Sequence, residues 1–200
     1  GITGSIGMGK STIANMLKKF RIPVFDSDKE VRDILENNDA VKKKIYDLWP
    51  DVISVETNEK KIDKNLLGNK IFRHRKYRKV LEGIIHPQVE ERRNVFIKNE
   101  KKSIIVALDV PLLYETGTDK ICDYIFLVCA NEEIQKDRVL ARPSMTKERL
   151  NLIKKAQWDD LKKRDKGPYI VTTSYGKFIS LIIVTVYLII IVFKKKIFKL

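Results

Sequence analysis

Residues 1–12 read Gly1-Ile2-Thr3-Gly4-Ser5-Ile6-Gly7-Met8-Gly9-Lys10-Ser11-Thr12, with Gly4-x-x-x-x-Gly9-Lys10-Ser11 at their centre. No other feature constrains the fold as much. Glycines let the backbone curl until successive N–H groups point into one concavity, which suits a polyphosphate. Such a loop works between a strand and a helix. Gly1-Ile2-Thr3 reads as a strand end with almost nothing before it. Lys10–Phe20 reads as a helix, with Ile13, Ala14, Leu17 and Phe20 spaced for one buried face. That helix aims its positive dipole end at the anion. Lys10 is placed to reach the β- and γ-phosphates and the Ser11 hydroxyl to ligate Mg²⁺. The motif is the Walker A phosphate loop.

The chain then alternates between strand and helix. Arg21–Phe25 reads as a second strand running into Asp26-Ser27-Asp28. Carboxyl ends of strands line the ligand crevice in open α/β sheets. Two carboxylates there suit proton acceptance from a substrate hydroxyl and organisation of Mg²⁺ or its waters. Either could instead cap the next helix, Lys29–Glu36. Residues 40–100 are helical and basic in pattern, with helices expected at Ala40–Trp49, Asn65–Phe72, Tyr77–Ile85 and Gln88–Lys98. Pro50–Lys61 reads as loop, and His86-Pro87 as a break. This block is expected to be a subdomain inserted over the nucleotide site.

Ser103–Asp109 is an apolar run ending in an acid, which reads as a buried parallel strand. Asp109 can then serve Mg²⁺ or its water shell. Val110–Glu115 reads as a turn, Tyr124–Cys129 as another buried strand and Glu132–Ala141 as a helix carrying Arg138. Arg142–Thr146 reads as a hinge-like loop before a helix over Lys147–Leu161. Arginines in a mobile lid neutralise transition-state charge in phosphoryl transfer, and solvated helix charges are the plainer reading of Arg138, Arg142 and Arg149.

The chain has 200 residues, enough for one domain with a small subdomain, and 44% of them are hydrophobic, enough for a core. Its formal net charge of +14 suggests an anionic partner. Basic stripes interleaved with aromatic residues are missing, so nucleic acid is not the expected partner. Cys122 and Cys129 read as buried apolar residues in a reducing compartment. With two histidines and two cysteines widely scattered, no metal-site spacing arises from them. With the phosphate loop at the opening of the sequence, no secretory leader is expected.

Over about residues 1–170 these motifs resemble the dephospho-coenzyme A kinase family. The phosphate loop, Asp26-Ser27-Asp28, Ile62-Asp63 with Leu67-Gly68 and Ile71-Phe72, the His86-Pro87 pair, Asp109-Val110-Pro111-Leu112-Leu113-Tyr114-Glu115, and Gln135, Arg138, Arg142 and Gln157 occur in the family's order. The resemblance implies an α/β P-loop NTPase three-layer fold with a parallel sheet, a helical CoA-binding insert at about 40–100 and a lid at about 138–160, all within residues 1–174. It implies Mg²⁺-assisted transfer from ATP to the ribose 3′-hydroxyl of dephospho-CoA. Asp28 would be the general base or hydroxyl-orienting group. Gly4, Ser5, Ile6, Gly7, Met8, Gly9, Lys10, Ser11 and Thr12 would hold the phosphates, with Arg142 closing over ATP and Arg138 helping. Asp28, His86, Pro111, Leu112, Leu113 and Glu115 would hold the acceptor, and Ser11 and Asp109 would serve the metal. Another small-molecule kinase of this architecture and an inactive membrane-tethered nucleotide-binding module remain the alternatives. The family's Ala-Asp-Tyr-x-Ile-x-Asn, whose Asn helps hold adenine, is replaced by Gly167-Pro168-Tyr169-Ile170-Val171-Thr172-Thr173.

Residues 175–200 form an apolar tail. Phe178–Phe193 contains no charge and is flanked by Lys177 and Lys194–Lys196. As a helix it spans about 24 Å, against about 30 Å of bilayer hydrocarbon, and lysines snorkel across such a gap. Three readings stand: an anchor at 178–193 with the kinase facing the cytosol, a final element of the kinase fold, and sequence of the kind that translated AT-rich intervening DNA would give.

Overall fold

A computed structural model describes residues 1–56, 59–143 and 145–197. The chain divides into two compact units, Gly1–Phe25 with Glu100–Leu200, and Asp26–Asn99. The second begins earlier than the block near residue 40 suggested by composition.

The first unit is built on a five-stranded sheet of order β2-β5-β1-β6-β7. Its strands are β1 (Ile2–Thr3), β2 (Val24–Asp26), β5 (Ala107–Asp109), β6 (Phe126–Cys129) and β7 (Tyr169–Thr172). β1 runs parallel to β5 and to β6, and β6 runs parallel to β7. Parallel pairing puts the carboxyl ends of these strands on one edge. β6 is buried along its whole length because helices cover both faces of such a sheet. Helix α1 (Lys10–Lys19) buries Ile13, Ala14, Met16 and Leu17 against Ile2, Ala107, Phe126, Val128 and Val171. Phe20, expected on that face, lies one residue past the helix and is exposed. β5 is shorter than the apolar run from Ser103. Ile104 is exposed, and the ladder begins where Ala107 N–H donates to the Pro23 carbonyl at 2.9 Å.

The remaining helices of this unit are α6 (Glu132–Leu140), α7 (Lys147–Ala156), α8 (Asp160–Arg164) and α9 (Gly176–Ile197). One helix was expected over Lys147–Leu161, but α7 stops at Ala156. Asp159 caps the next helix by accepting from Leu161 N–H, and Gln157 and Trp158 make contacts elsewhere that an uninterrupted helix would forbid. Of the expected hinge Arg142–Thr146, Ser144 lies outside the described residues. The tail is one helix, long and apolar enough by length and composition to cross a membrane, although 17% of that span is buried. Ser180, Val184 and Ile191 are buried, and Val184 and Ile191 join the core beside α1 and the sheet.

The second unit contains α2 (Ser27–Asn37), α3 (Asp39–Leu48), β3 (Ile53–Glu56), β4 (Glu59–Ile62), α4 (Lys64–Arg73) and α5 (Arg75–Asn99). Its core joins Ile34, Val41, Ile45, Trp49, Val52, Leu67, Leu81 and Ile85. Pro50–Lys61 is not the plain loop expected. A 3-10 turn at Pro50–Val52 leads into an antiparallel hairpin in which Ile53 pairs with Ile62 and Ser54 with Lys61. Its polar composition hid it, because only one face of such a ribbon needs to be apolar. Thr57 and Asn58 lie outside the described residues.

The expected break at His86-Pro87 does not occur. α5 runs unbroken for 25 residues with Pro87 inside it. Proline removes one helical bond, here to the carbonyl of Gly83. Gly83 is exposed, so water can satisfy that carbonyl, while Leu81 and Ile85 hold the preceding turns in the core.

Candidate active site

The phosphate loop joins β1 to α1 at the carboxyl edge of the sheet. Gly9 is the N-cap of α1 and adopts φ +89°, left-handed backbone that glycine enters without strain. Gly4 answers to space. A Cβ there would stand 2.5 Å from the Val128 carbonyl oxygen, so β6 can approach the loop only if residue 4 has no side chain.

Lys10 and Asp109 face each other across the loop mouth. Lys10 Nζ lies 2.5 Å from Asp109 Oδ1, and Asp109 is buried at the end of β5. Ser11 is exposed in the first turn of α1. A hydroxyl and a carboxylate are hard oxygen donors of the kind Mg²⁺ prefers. No cluster of three or more His, Cys, Asp or Glu suited to a metal occurs among the described residues. A metal shared with ATP needs none.

The α7–α8 joint grips the loop from one side. Gln157 Oε1 accepts from Ile6 N–H at 3.1 Å and Ser5 Oγ donates to Asp160 Oδ1 at 2.6 Å, while from α6 Gln135 Nε2 donates to the Ile6 carbonyl at 2.7 Å. Lys163, fully buried on α8, donates to Ser5 Oγ at 3.3 Å and lies 3.6 Å from Glu115 Oε1. Lys163, Asp160 and Trp158 escaped the sequence reading. Lysine on a short, charged helix gives no signal of burial.

Arg138 fastens the other side. Its guanidinium donates to Thr173 Oγ1 at 2.8 Å and to the Thr173 carbonyl at 3.0 Å, and reaches the Gly7 carbonyl at 3.5 Å. Thr173 Oγ1 in turn donates to the Met8 carbonyl at 2.8 Å. Counted from Tyr169, Thr173 stands where the resemblance has its Asn. Here it knits β7 to the loop. Arg142, two residues past α6, is exposed.

The turn after β5 forms the adjoining wall. Val110 N–H donates to the Ile2 carbonyl and Thr3 Oγ1 to the Pro111 carbonyl, both at 3.0 Å. Leu113 and Tyr114 are buried, while Pro111, Leu112 and Glu115 are partly exposed. Tyr114 stacks on Trp158 with ring centroids 6.0 Å apart, and Glu115 Oε1 accepts from Trp158 N–H at 2.7 Å. Among the described residues, the buried Glu115 Oε2 and Tyr114 hydroxyl have no hydrogen-bond partner. Burial pushes the Tyr114 phenol up to about 12, with Asp119 and then Cys122 adding to it.

In the other unit the two aspartates divide their work. Asp26 is the N-cap of α2, accepting from Lys29 N–H at 3.0 Å. Asp28 sits exposed in the first turn. His86 is exposed midway along α5.

A phosphate loop at the carboxyl edge of a parallel sheet, with its lysine beside a buried aspartate on a neighbouring strand, defines a P-loop phosphotransferase. The family model for dephospho-CoA kinase matches residues 1–176. The dephospho-CoA kinase of Rhodopseudomonas palustris is 39% identical over 178 residues, covering 88% of this chain and 86% of that one. That of Zymomonas mobilis is 37% identical, covering 86% and 85%. The crystal structure of TT1252 from Thermus thermophilus superposes with a TM-score of 0.78 at 27% identity, covering 94% of each chain. Dephospho-CoA kinase from Campylobacter jejuni has the same fold, with a TM-score of 0.68 at 22% identity, covering 94% of this chain and 93% of that one. The chain belongs to the dephospho-CoA kinase family.

Proposed function

We propose that the chain transfers the γ-phosphoryl group of ATP to the 3′-hydroxyl of dephospho-CoA, giving coenzyme A and ADP, the last step of coenzyme A biosynthesis. The observation that carries this reading is the joining of the phosphate loop to the Val110–Glu115 turn through β1, at Ile2 and Thr3. Donor and acceptor walls thereby share one rigid strand.

Residues 4–12 bind the phosphates of ATP, with Lys10 released from Asp109 as it turns to them. Ser11 and Asp109 would serve Mg²⁺ or its water shell, and the ion would supply neutralisation of charge on the transferring group. Asp28 accepts or orients the proton of the acceptor hydroxyl, and its exposure supports access by substrate. Its neighbour Asp26 already serves as the cap. His86 and the turn residues Pro111, Leu112, Leu113 and Glu115 bind dephospho-CoA. The unpartnered Glu115 Oε2 supports a polar ligand there. Arg142, exposed on the segment between α6 and α7, closes over ATP. Arg138 acts through the loop it braces. Residues 26–99 form the acceptor-binding insert. Catalysis rests on positioning and charge neutralisation.

The enzyme acts in the cytosol, with α9 as its contact with a membrane. The observation favouring that contact is the helix's exposed apolar face.

The test is a coupled assay of the purified full chain with dephospho-CoA and Mg-ATP. Formation of CoA, with phosphate on the 3′-oxygen, is expected. Absence of CoA under conditions where an authentic enzyme makes it would overturn the assignment. Turnover of another small alcohol in preference would point to a different kinase of the same architecture.

A further inference from the structure

Helix α9 has two apolar faces, and the fold uses one. Val184 and Ile191 are buried in the core, the Tyr187 and Tyr169 rings meet at 4.7 Å, and the Ser180 hydroxyl lies 2.9 Å from the Thr172 carbonyl oxygen. On the other side Phe178, Ile182, Val186, Ile189 and Phe193 are exposed, Phe178 by 72% and Phe193 by 63%. Their spacing of four, four, three and four residues makes one straight stripe about 22 Å long. An aromatic residue ends it on each side. Lys177, Lys194 and Lys195 stand exposed just beyond those ends, Lys194 Nζ donating to the Tyr169 hydroxyl at 3.2 Å and Lys195 Nζ to the Ile104 carbonyl at 2.7 Å, so that a headgroup would exchange with these exposed contacts.

We infer that this stripe lies flat on an anionic lipid bilayer, with α9 parallel to the surface and still docked on the sheet. The inference rests on the reading that α9 meets a membrane, and it specifies how. Crossing the bilayer would strip Val184 and Ile191 from the core they share with Ile13, Leu17 and Val171. In-plane binding keeps that core and buries only the unused face, at the depth where amphipathic helices settle. A second copy of the chain fits worse. No acidic side chain occurs from Lys166 to Leu200, so two stripes laid together would crowd lysines with nothing opposite in sign. Anionic headgroups supply that sign at both ends of the stripe.

The experiment is flotation of the purified full chain with phosphatidylcholine vesicles, with and without phosphatidylserine, at low and high salt. Binding to the phosphatidylserine vesicles is expected, falling at least about tenfold at high salt because exposed charges are screened. The double variant Phe178→Ser/Phe193→Ser should lose flotation and keep wild-type CoA formation. Equal flotation with neutral vesicles that survives alkaline carbonate would mean a spanning helix, overturning the in-plane geometry but keeping membrane contact. No flotation with either vesicle would overturn both, and a doubled mass by light scattering would then assign the stripe to a second copy.

Discussion

Lys163 has no exposed surface, and the side chain of Glu115, 3.6 Å away, is 13% exposed. A buried pair broken on one side leaves the other charge uncompensated. Lys163→Met is therefore expected to cost about 3 kcal/mol in urea unfolding, with Lys163→Met/Glu115→Gln recovering most of it. An additive double variant would show that the two groups do not compensate each other. Asp26 and Asp28 separate in the same way. Asp28→Asn should lower turnover by about 10²- to 10⁴-fold, the usual worth of a general base, while nucleotide still binds. Asp26→Ala should instead cost about 1 kcal/mol of stability, as a lost helix cap does. Matching effects on turnover would merge the two roles. For Tyr114, whose phenol is pushed up to about 12, burial penalises the ionised form. An unfolded tyrosine ionises near about 10. Between these values the unfolded chain loses its proton first, so stability falls as pH rises. Tyr114→Phe should flatten that slope in denaturant melts from about pH 10 to about pH 12.

At the scale of elements, apolar pattern alone could not decide where helices stop. α5 passes through Pro87 because Leu81 and Ile85 are held by Trp49 and Leu67 in a common core. The α7–α8 joint breaks without a proline because Gln157 and Trp158 spend their polar groups on Ile6 and Glu115. Gln157→Ala is expected to leave α7 and α8 folded by circular dichroism. It should raise the KM for ATP severalfold, since the phosphate loop loses the acceptor that holds Ile6. An unchanged KM would reduce the contact to packing.

For the whole molecule the decisive element is α9. Its inner face completes the core around α1 and β7. Fully burying an aliphatic side chain is worth about 1.5–3 kcal/mol, so losing Val184 and Ile191 together removes several kcal/mol. That is a large share of the stability of any domain. A chain ending at residue 175 is expected to melt well below the full chain and to lose CoA formation at temperatures where the full chain works. Full activity at wild-type melting temperature would return the tail to a dispensable appendage.

The sequence by itself determined the phosphate loop, because glycines, lysine and serine at that spacing have one conformational use. It also pointed to the strands ending at Asp109 and Cys129, whose short apolar runs suit the middle of a parallel sheet, although β5 fills only the last three residues of its run. Contacts between residues far apart along the chain decided the rest. The bond from Arg138 to Thr173, 35 residues on, is one that no local pattern announces. Lys163 is buried only because Ser5 and Glu115 come to it. In α9, period and composition gave an apolar helix, but which face is covered depends on β7 and α1 packing against it. A one-dimensional pattern records how apolar a face is, and tertiary packing decides what that face meets.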